Sequence, residues 1–489
     1  MDRDLLTLSG QYFDLLVIGG GIFGAAVARD AALRGLRVAL IDKSDFASGT
    51  SSRSSKLIHG GFRYLQQHNF RLVFEACHER HILQQTAPHI VRPLPFLFPI
   101  YRGGKISLSK LRLGMTLYDW LAFRRNVAPH RTLSAERALM SEPSLSREGL
   151  RGAVAFHDCQ DDDARLCVDQ ILHATELGAS CINYCKLTGF VCREDRIVAA
   201  RVWDEVGSCT FEISARAFIN AAGPWVDQVN ALTPFDTGAA RVSPAKGVHL
   251  IVPRLTRQHA VAFEARSDHR ILFVIPWGDY SLVGTTDTNF NGDPDYARAE
   301  QADIDYLLTE ARARFPGAAL SESDIVATTV GIRSVVASAV SSPSARSREH
   351  RIVRTGRNLL SIIGGKYTTH RIIAQQTVDA AYGLLGMTAP PCRTAETLLP
   401  NRRPASSGEK ISKSPEVYVS DILHACQHEM AVALEDVMRR RTPLALSRSG
   451  GPEIAVQVAK LMAPVMGWNT DEERAQFERY VEEWKHNLP

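Results

Sequence analysis

The sequence is short of the features that mark several large classes of protein. None of its uncharged runs approaches the roughly 18 apolar residues that a membrane-crossing helix needs. The first residues, Met1–Leu16, carry acids and lack a long apolar core, so no secretory signal is expected. Lys plus Arg (57) barely exceeds Asp plus Glu (53); the net +4 offers no basic stripe, and no nucleic-acid partner is expected. The nine cysteines form no C-x-x-C pair and no His/Cys set at zinc spacing. They read as buried free thiols in a reducing cytoplasm, with no metal. No internal repeat is present. What remains is an ordinary globular chain, 45% hydrophobic and 22% charged over 489 residues. That length suits two or three domains of roughly 100–200 residues.

Four stretches differ in pattern. Residues 13–60 read as strand, glycine turn, helix, strand and a Ser/Thr-rich loop. Residues 70–150 read as largely helical, interrupted at Pro93, Pro95 and Pro99. Residues 150–370 alternate short apolar strands with turns. Residues 391–414, rich in Pro, Ser and charge, read as a linker, and residues 415–489 as a helical domain. There Ile454, Val458, Leu461, Met462 and Val465 share one helical face, as do Phe477, Tyr480, Val481 and Trp484. Thr470 followed by Glu473 has the form of a capping box and is expected to start the last helix.

The strongest local signal lies at residues 14–42. A short apolar strand runs into Gly19, Gly21 and Gly24, spaced as G-x-G-x-x-G. The first glycine permits a tight turn, the second lets a pyrophosphate approach the backbone, and the third lets helix pack on strand. The helix that follows aims unpaired N–H groups and its positive dipole end at the phosphates. Asp42 ends the next strand, 18 residues after Gly24, where a carboxylate can accept both hydroxyls of an adenosine ribose and repel a 2′-phosphate. Two later glycine turns, Asn220–Gly223 and Ile362–Gly365, follow apolar strands far downstream. They read as returns to the same sheet, against a long, extended cofactor. The last return would begin a helix whose N-terminal N–H groups can face that cofactor; the glycine motif alone does not choose between FAD and NAD.

The segment ASGTSSRSSKLIHGGFRYLQ resembles the flavin-proximal loop of FAD-dependent glycerol-3-phosphate dehydrogenases. So does the order of FRLVFEACHER, DDDARL, NAAGPWVDQV, KGVHLIVP, FVIPWGDYSLVGTTD and IIGGKYTTHR, which together with the glycine turn span residues 14–371. The family belongs to the wider class of FAD oxidoreductases resembling D-amino-acid oxidase. The resemblance implies an α/β plus α+β chain: a Rossmann-type FAD domain (about 13–80, 150–225 and 350–390) interleaved with an antiparallel-sheet substrate domain (about 81–149 and 226–349), then a small helical cap.

It also implies FAD as cofactor and a small polyol phosphate, glycerol 3-phosphate, as substrate, oxidised at C2 to dihydroxyacetone phosphate. The implied catalytic set is His59, Arg63, His249, Arg333 and Lys366. Arg63, Tyr64, Arg333, Lys366 and Thr368 would hold substrate, since guanidinium and ammonium groups suit a phosphate dianion. The expected cofactor contacts are Gly19, Gly21, Ile22, Phe23, Gly24, Asp42, Lys43, Thr50, Ser51, Ser52, Ser55, Lys56, Leu57, Gly223, Gly365, Lys366 and Thr368. Imidazole is the natural base for the C2 hydroxyl. His59, close to the flavin loop, is favoured over His249. Asp287 either holds a cation in place or serves the site directly.

The chain departs from the family pattern in three places. Ile332 and Ser334-Val335 flank Arg333 where G-V-R-P-L is usual, His370 replaces a tyrosine, and the cap is abbreviated. A longer polyol phosphate therefore stays open as substrate, as does an amine or amino-acid oxidase activity within the wider class. Homodimerisation stays open too. Family members pass electrons to a quinone and oxidase relatives to oxygen. Residues 102–125 combine Arg102, Lys105, Lys110, Arg112, Arg124 and Arg125, against the single acid Asp119, with Ile106, Leu108, Leu111, Leu113, Met115, Leu117, Trp120, Leu121 and Phe123. They read either as a helix on the protein's own core or as a seat on an anionic membrane surface. A cytoplasmic protein, with a peripheral place on the inner face of the cell membrane left open, is the resulting expectation.

Overall fold

The computed structural model describes residues 3–67, 69–123, 125–236, 241–337 and 349–488; the side chains of Arg63, Gln66 and Gln67 fall outside that description. The strand Tyr12–Ile18 lies in the parallel part of a mixed sheet, flanked by Cys209–Asn220 and Val38–Ile41. Ser180–Ile182 extends the sheet beyond Val38–Ile41, and Leu359–Gly364 extends it beyond Cys209–Asn220. A wholly buried run such as Val38–Ile41 suits a strand covered on both faces. The helix Ile22–Leu33 packs between Asp163–Glu176 and His370–Leu385. Its Ala25, Ala26, Ala28 and Ala31 are buried and present little bulk to their neighbours.

Among the described residues the second sheet has ten strands. Val242–Pro253 is flanked by Tyr280–Gly284 and Ala327–Val336, both antiparallel to it. Its far side holds Arg92–Tyr101, Leu150–Gln160 and the short Leu57–Ile58. The two sheets interleave in sequence, so the chain crosses between them repeatedly.

Several expectations are corrected. Within residues 70–150 the helices Phe70–Thr86, Leu108–Leu121 and Ala135–Ser141 are present, but the proline-rich interruption is itself the ten-residue strand Arg92–Tyr101. Pro93, Pro95 and Pro99 share parity, so their missing N–H groups all fall on one side of the strand. The strand Leu150–Gln160 pairs with Arg92–Tyr101 and thus joins the second sheet, not the nucleotide sheet. The linker ends in a small hairpin, Lys410–Lys413 with Glu416–Tyr418, that crosses the expected boundary at 415. The last helix, Thr470–His486, is capped by Asn469, whose side chain accepts from Glu472 N at 2.9 Å; Thr470 is already its first residue. All nine cysteines are free, but Cys209 is exposed.

The C-terminal domain has a core of its own, built on Ile422, Leu434, Met438, Val458, Met462 and Tyr480. Both apolar helix faces expected there contribute to it.

Candidate active site

At the end of Tyr12–Ile18 the backbone turns through Gly19, with φ +104°. A Cβ at position 24 would stand 1.8 Å from the Gly19 carbonyl oxygen, so only glycine lets the helix seat against the turn. Gly21 precedes the helix without a side-chain cap, and Ile22 N donates to Ser51 Oγ at 2.9 Å. Asp42 accepts from Gly20 N at 2.6 Å and from Ser44 N at 2.9 Å. Burial pushes its carboxyl up to about 6. Lys43 binds both carboxylate oxygens of Asp295, at 2.7 and 2.6 Å, and lies 4.3 Å from the centre of the Trp225 ring.

From this turn a cavity of about 950 Å³ runs to a second group of polar residues. His59 N donates to Thr368 Oγ1 at 3.2 Å, which ties the loop before Tyr64 to the turn after Leu359–Gly364. Lys366 Nζ sits 3.5 Å above the Tyr64 ring. His249, on Val242–Pro253, shares a hydrogen bond of 2.9 Å between its Nε2 and Ser55 Oγ. Its Nδ1 is enclosed without a hydrogen-bond partner among the described residues. Burial, with Arg333 and Lys56 nearby, pushes this imidazole down to about 3 and keeps it neutral.

Arg333 reaches the same space from Ala327–Val336. It donates to Thr285 Oγ1 at 2.9 Å, Asp287 Oδ1 at 3.1 Å and the Thr286 carbonyl at 3.3 Å. Strand pairing sets Gly331 opposite Gly247. A Cβ on Gly247 would meet the Arg333 guanidinium at 2.3 Å. The arginine therefore lies flat across a bare patch of the neighbouring strand.

Most of the sequence-derived site converges on this one cavity. Its wall includes Gly19, Gly21, Ile22, Phe23, Asp42, Lys43, Thr50, Ser51, Ser55, Leu57, His59, Tyr64, Gly223, His249, Arg333, Gly365, Lys366 and Thr368. Arg63 belongs to the turn Phe62–Gln67, but its side chain lies outside the described residues. Gly24 is a packing residue behind the wall. Ser52 and Lys56 do not line the cavity. Lys56 is buried and paired with Asp163, with the Trp277 ring 4.9 Å away, because an enclosed ammonium needs a carboxylate.

Sequence reasoning missed Trp225, Thr285, Asp295, Arg298, Glu435, Arg440 and Glu483, which also line the cavity. Trp225 stood in a motif already noted, beside Gly223. Glu435, Arg440 and Glu483 come from the C-terminal domain, and nothing local in their sequence ties them to a cavity about 400 residues upstream in the chain.

The wall suits an extended dinucleotide such as FAD. One end offers the bare helix start and glycine turn, with the Asp42 carboxylate beside them; the other offers Gly365 and the uncapped start of His370–Leu385. Residues 14–371 match the family model described as FAD dependent oxidoreductase. Residues 392–473 match the C-terminal domain of alpha-glycerophosphate oxidase. Glycerol-3-phosphate dehydrogenase 2 of Mycobacterium tuberculosis is 34% identical, over 97% of this chain and 89% of its own length. Glycerol-3-phosphate dehydrogenase of Synechocystis is 33% identical, over 99% and 98%. The crystal structure of the Bacillus halodurans glycerol-3-phosphate dehydrogenase, complexed with FAD, superposes with a TM-score of 0.80 at 27% identity, covering 99% of this chain and 96% of that one.

Proposed function

The chain belongs to the FAD dependent oxidoreductase family, in its glycerol-3-phosphate dehydrogenase branch, and from that membership we propose that it oxidises sn-glycerol 3-phosphate to dihydroxyacetone phosphate. The observation that carries the reading is the convergence of His59, His249, Arg333 and Lys366, from four distant segments, on the cavity that begins at the glycine turn.

Bound FAD supplies the acceptor for the hydride leaving C2. The chain's own groups do the rest. Arg333 and Lys366 present fixed positive charge to the phosphate, and Arg63 belongs to the same proposed set. Asp287 holds Arg333 in orientation, the first of the two roles the sequence left open. His59 takes the C2 hydroxyl proton. His249 stays neutral and orients substrate through Nδ1, with Nε2 committed to Ser55. Arg333 and Lys366 together match a phosphate dianion, whereas the single carboxylate of an amino acid would offset only one of the two charges. A longer polyol phosphate would engage the same cations.

Anaerobic titration of the purified flavoprotein tests the reading. Bleaching of the flavin by glycerol 3-phosphate is the expected result. Bleaching by glycine-like amines, with none by polyol phosphates, overturns it. Bleaching chiefly by a tetritol phosphate shifts the assignment to a longer substrate.

The same reading sends the electrons to a membrane quinone. No helix among the described residues is long and apolar enough to cross a membrane. The helix Leu108–Leu121 packs Leu111, Met115 and Tyr118 inward, yet Leu113, Trp120 and the following Phe123 are each at least 70% exposed. Exposed Arg102, Lys105, Lys110 and Arg112 accompany them. Apolar side chains ringed by cations suit an anionic bilayer surface. Arg124, part of the expected basic set, lies outside the described residues. Salt-sensitive binding to vesicles containing phosphatidylglycerol is expected, and its loss in Leu113→Ser/Trp120→Ser checks the face.

A further inference from the structure

The C-terminal domain places two buried arginines on the loop that shapes the nucleotide end of the cavity. They sit on a five-residue π-helical turn, Val437–Arg441. Arg440 Nε lies 2.5 Å from Asp45 Oδ2. Arg441 grips the same carboxylate with two nitrogens, Nη1 to Oδ2 and Nη2 to Oδ1, both at 2.8 Å. Asp45 is fully buried and also accepts from Asn183 Nδ2 at 2.9 Å. Two guanidinium groups and an amide thus satisfy one enclosed carboxylate.

Asp45 belongs to the loop that joins the strand Val38–Ile41 to Ser51. Within it, Asp42 fixes Gly20 N and Ser51 fixes Ile22 N, and Ala47 N donates to the Gly20 carbonyl at 3.1 Å. The loop therefore holds the glycine turn from three sides, and Asp45 is its anchor to the C-terminal domain. On the opposite flank, Glu483 pairs with Arg298 at 2.9 Å, and the Asn487 carbonyl accepts from Thr328 N at 2.6 Å. The domain thus bridges the nucleotide sheet and the substrate sheet, and its Glu435, Arg440 and Glu483 form part of the cavity wall.

We propose that the C-terminal domain is the third wall of the FAD site, with Arg440 and Arg441 as positioning residues for the cofactor through Asp45. The inference rests on the reading that this cavity takes FAD. If either arginine is lost, the carboxylate keeps its burial but loses a counter-charge, and the loop must move to rehydrate it. Asp42 and Ser51 move with the loop. Coupling of this kind is reciprocal: FAD must also tighten the docking of the C-terminal domain.

The test uses the full-length protein with and without FAD. The FAD dissociation constant is measured for the wild type, Arg441→Ala, Arg441→Lys and Asp45→Asn, beside the urea midpoint of each apoprotein. Arg441→Ala is expected to weaken FAD at least tenfold. Arg441→Lys, which keeps the charge and the fold but loses the bidentate grip, is expected to give a smaller loss. The double variant Arg441→Ala/Asp45→Asn should weaken FAD less than the product of the single losses, because the two residues act through one contact. In the wild type, FAD should slow amide exchange across residues 434–441. A lower urea midpoint with unchanged FAD affinity overturns the proposal, since the arginines would then only hold the domain in place. Unchanged exchange on FAD addition overturns it as well. A wild type that binds no FAD defeats the underlying reading of the cavity instead, so the two failures are distinguishable.

Discussion

Arg333 occupies the space a side chain at Gly247 would need: a Cβ there would stand 2.3 Å from the guanidinium. Arg333 pairs with Ala245 across the antiparallel strands, two residues from Gly247, and the glycine is what lets the cation lie in the cavity wall. Gly247→Ala is expected to displace Arg333 and raise KM for glycerol 3-phosphate at least tenfold, with FAD content and flavin spectrum retained. Steady-state kinetics with flavin absorbance checks both halves.

The Asp287 carboxylate lies 3.1 Å from the Arg333 guanidinium and holds it in place. Hydrogen bonds to charged groups contribute about 1.5–3 kcal/mol. Asp287→Asn keeps an acceptor and loses the charge, so it should cost roughly 5–20-fold in kcat/KM, most of it in KM. Unchanged kinetics would show that Thr285 and the Thr286 carbonyl suffice.

Gly24→Ala should prevent the nucleotide turn from closing, since its new Cβ would stand 1.8 Å from the Gly19 carbonyl oxygen. Backbone cannot give way as a flexible side chain can. Loss of bound FAD and a lower melting temperature are the expected outcome, read from the flavin-to-protein absorbance ratio and a thermal scan.

Two buried histidines make the fold sensitive to mild acid. Burial pushes His249 down to about 3 and His370 down to about 4, below the usual 6.5. The unfolded chain therefore takes up protons first, and each histidine removes about 1.4 kcal/mol of stability per pH unit below about 6 until its folded pKa is reached. Asp42, pushed up to about 6, works in the opposite direction between about 6 and 3.8. Burial also raises Glu79, Asp161 and Asp436, which act with Asp42, so the histidine share is read by difference. From pH 7 to 5 the wild type should lose more stability, or gain less, than His370→Gln, as measured by urea midpoints across the range.

What could be read from the sequence was what is local. The glycine turn and Asp42 are one strand-turn-helix-strand unit, and their geometry follows from steric rules that act within 30 residues. Proline content misled at residues 93–99, because the penalty of proline in a sheet depends on which side its missing N–H faces, and that is decided by a partner strand. The last helix began one residue early because Asn469 competed with Thr470 as cap and won. Lys56 reads with the cofactor contacts of its Ser/Thr loop, and nothing local shows that its ammonium would pair with Asp163, more than 100 residues on. The arginines of the C-terminal domain carry no local mark at all.

The interleaving of the two sheets has a consequence for synthesis. The second strand of the nucleotide sheet ends at Ile41, but the strand that completes its far side, Leu359–Gly364, is translated more than 300 residues later. At about 5–20 residues per second, the edge of Cys209–Asn220 that Leu359–Gly364 covers waits on the order of ten seconds for its partner. The Asp45 anchor must wait longer still, until Arg441 emerges. A nascent chain of this kind acquires a complete cavity only once Glu435, Arg440 and Glu483 of the C-terminal domain have emerged.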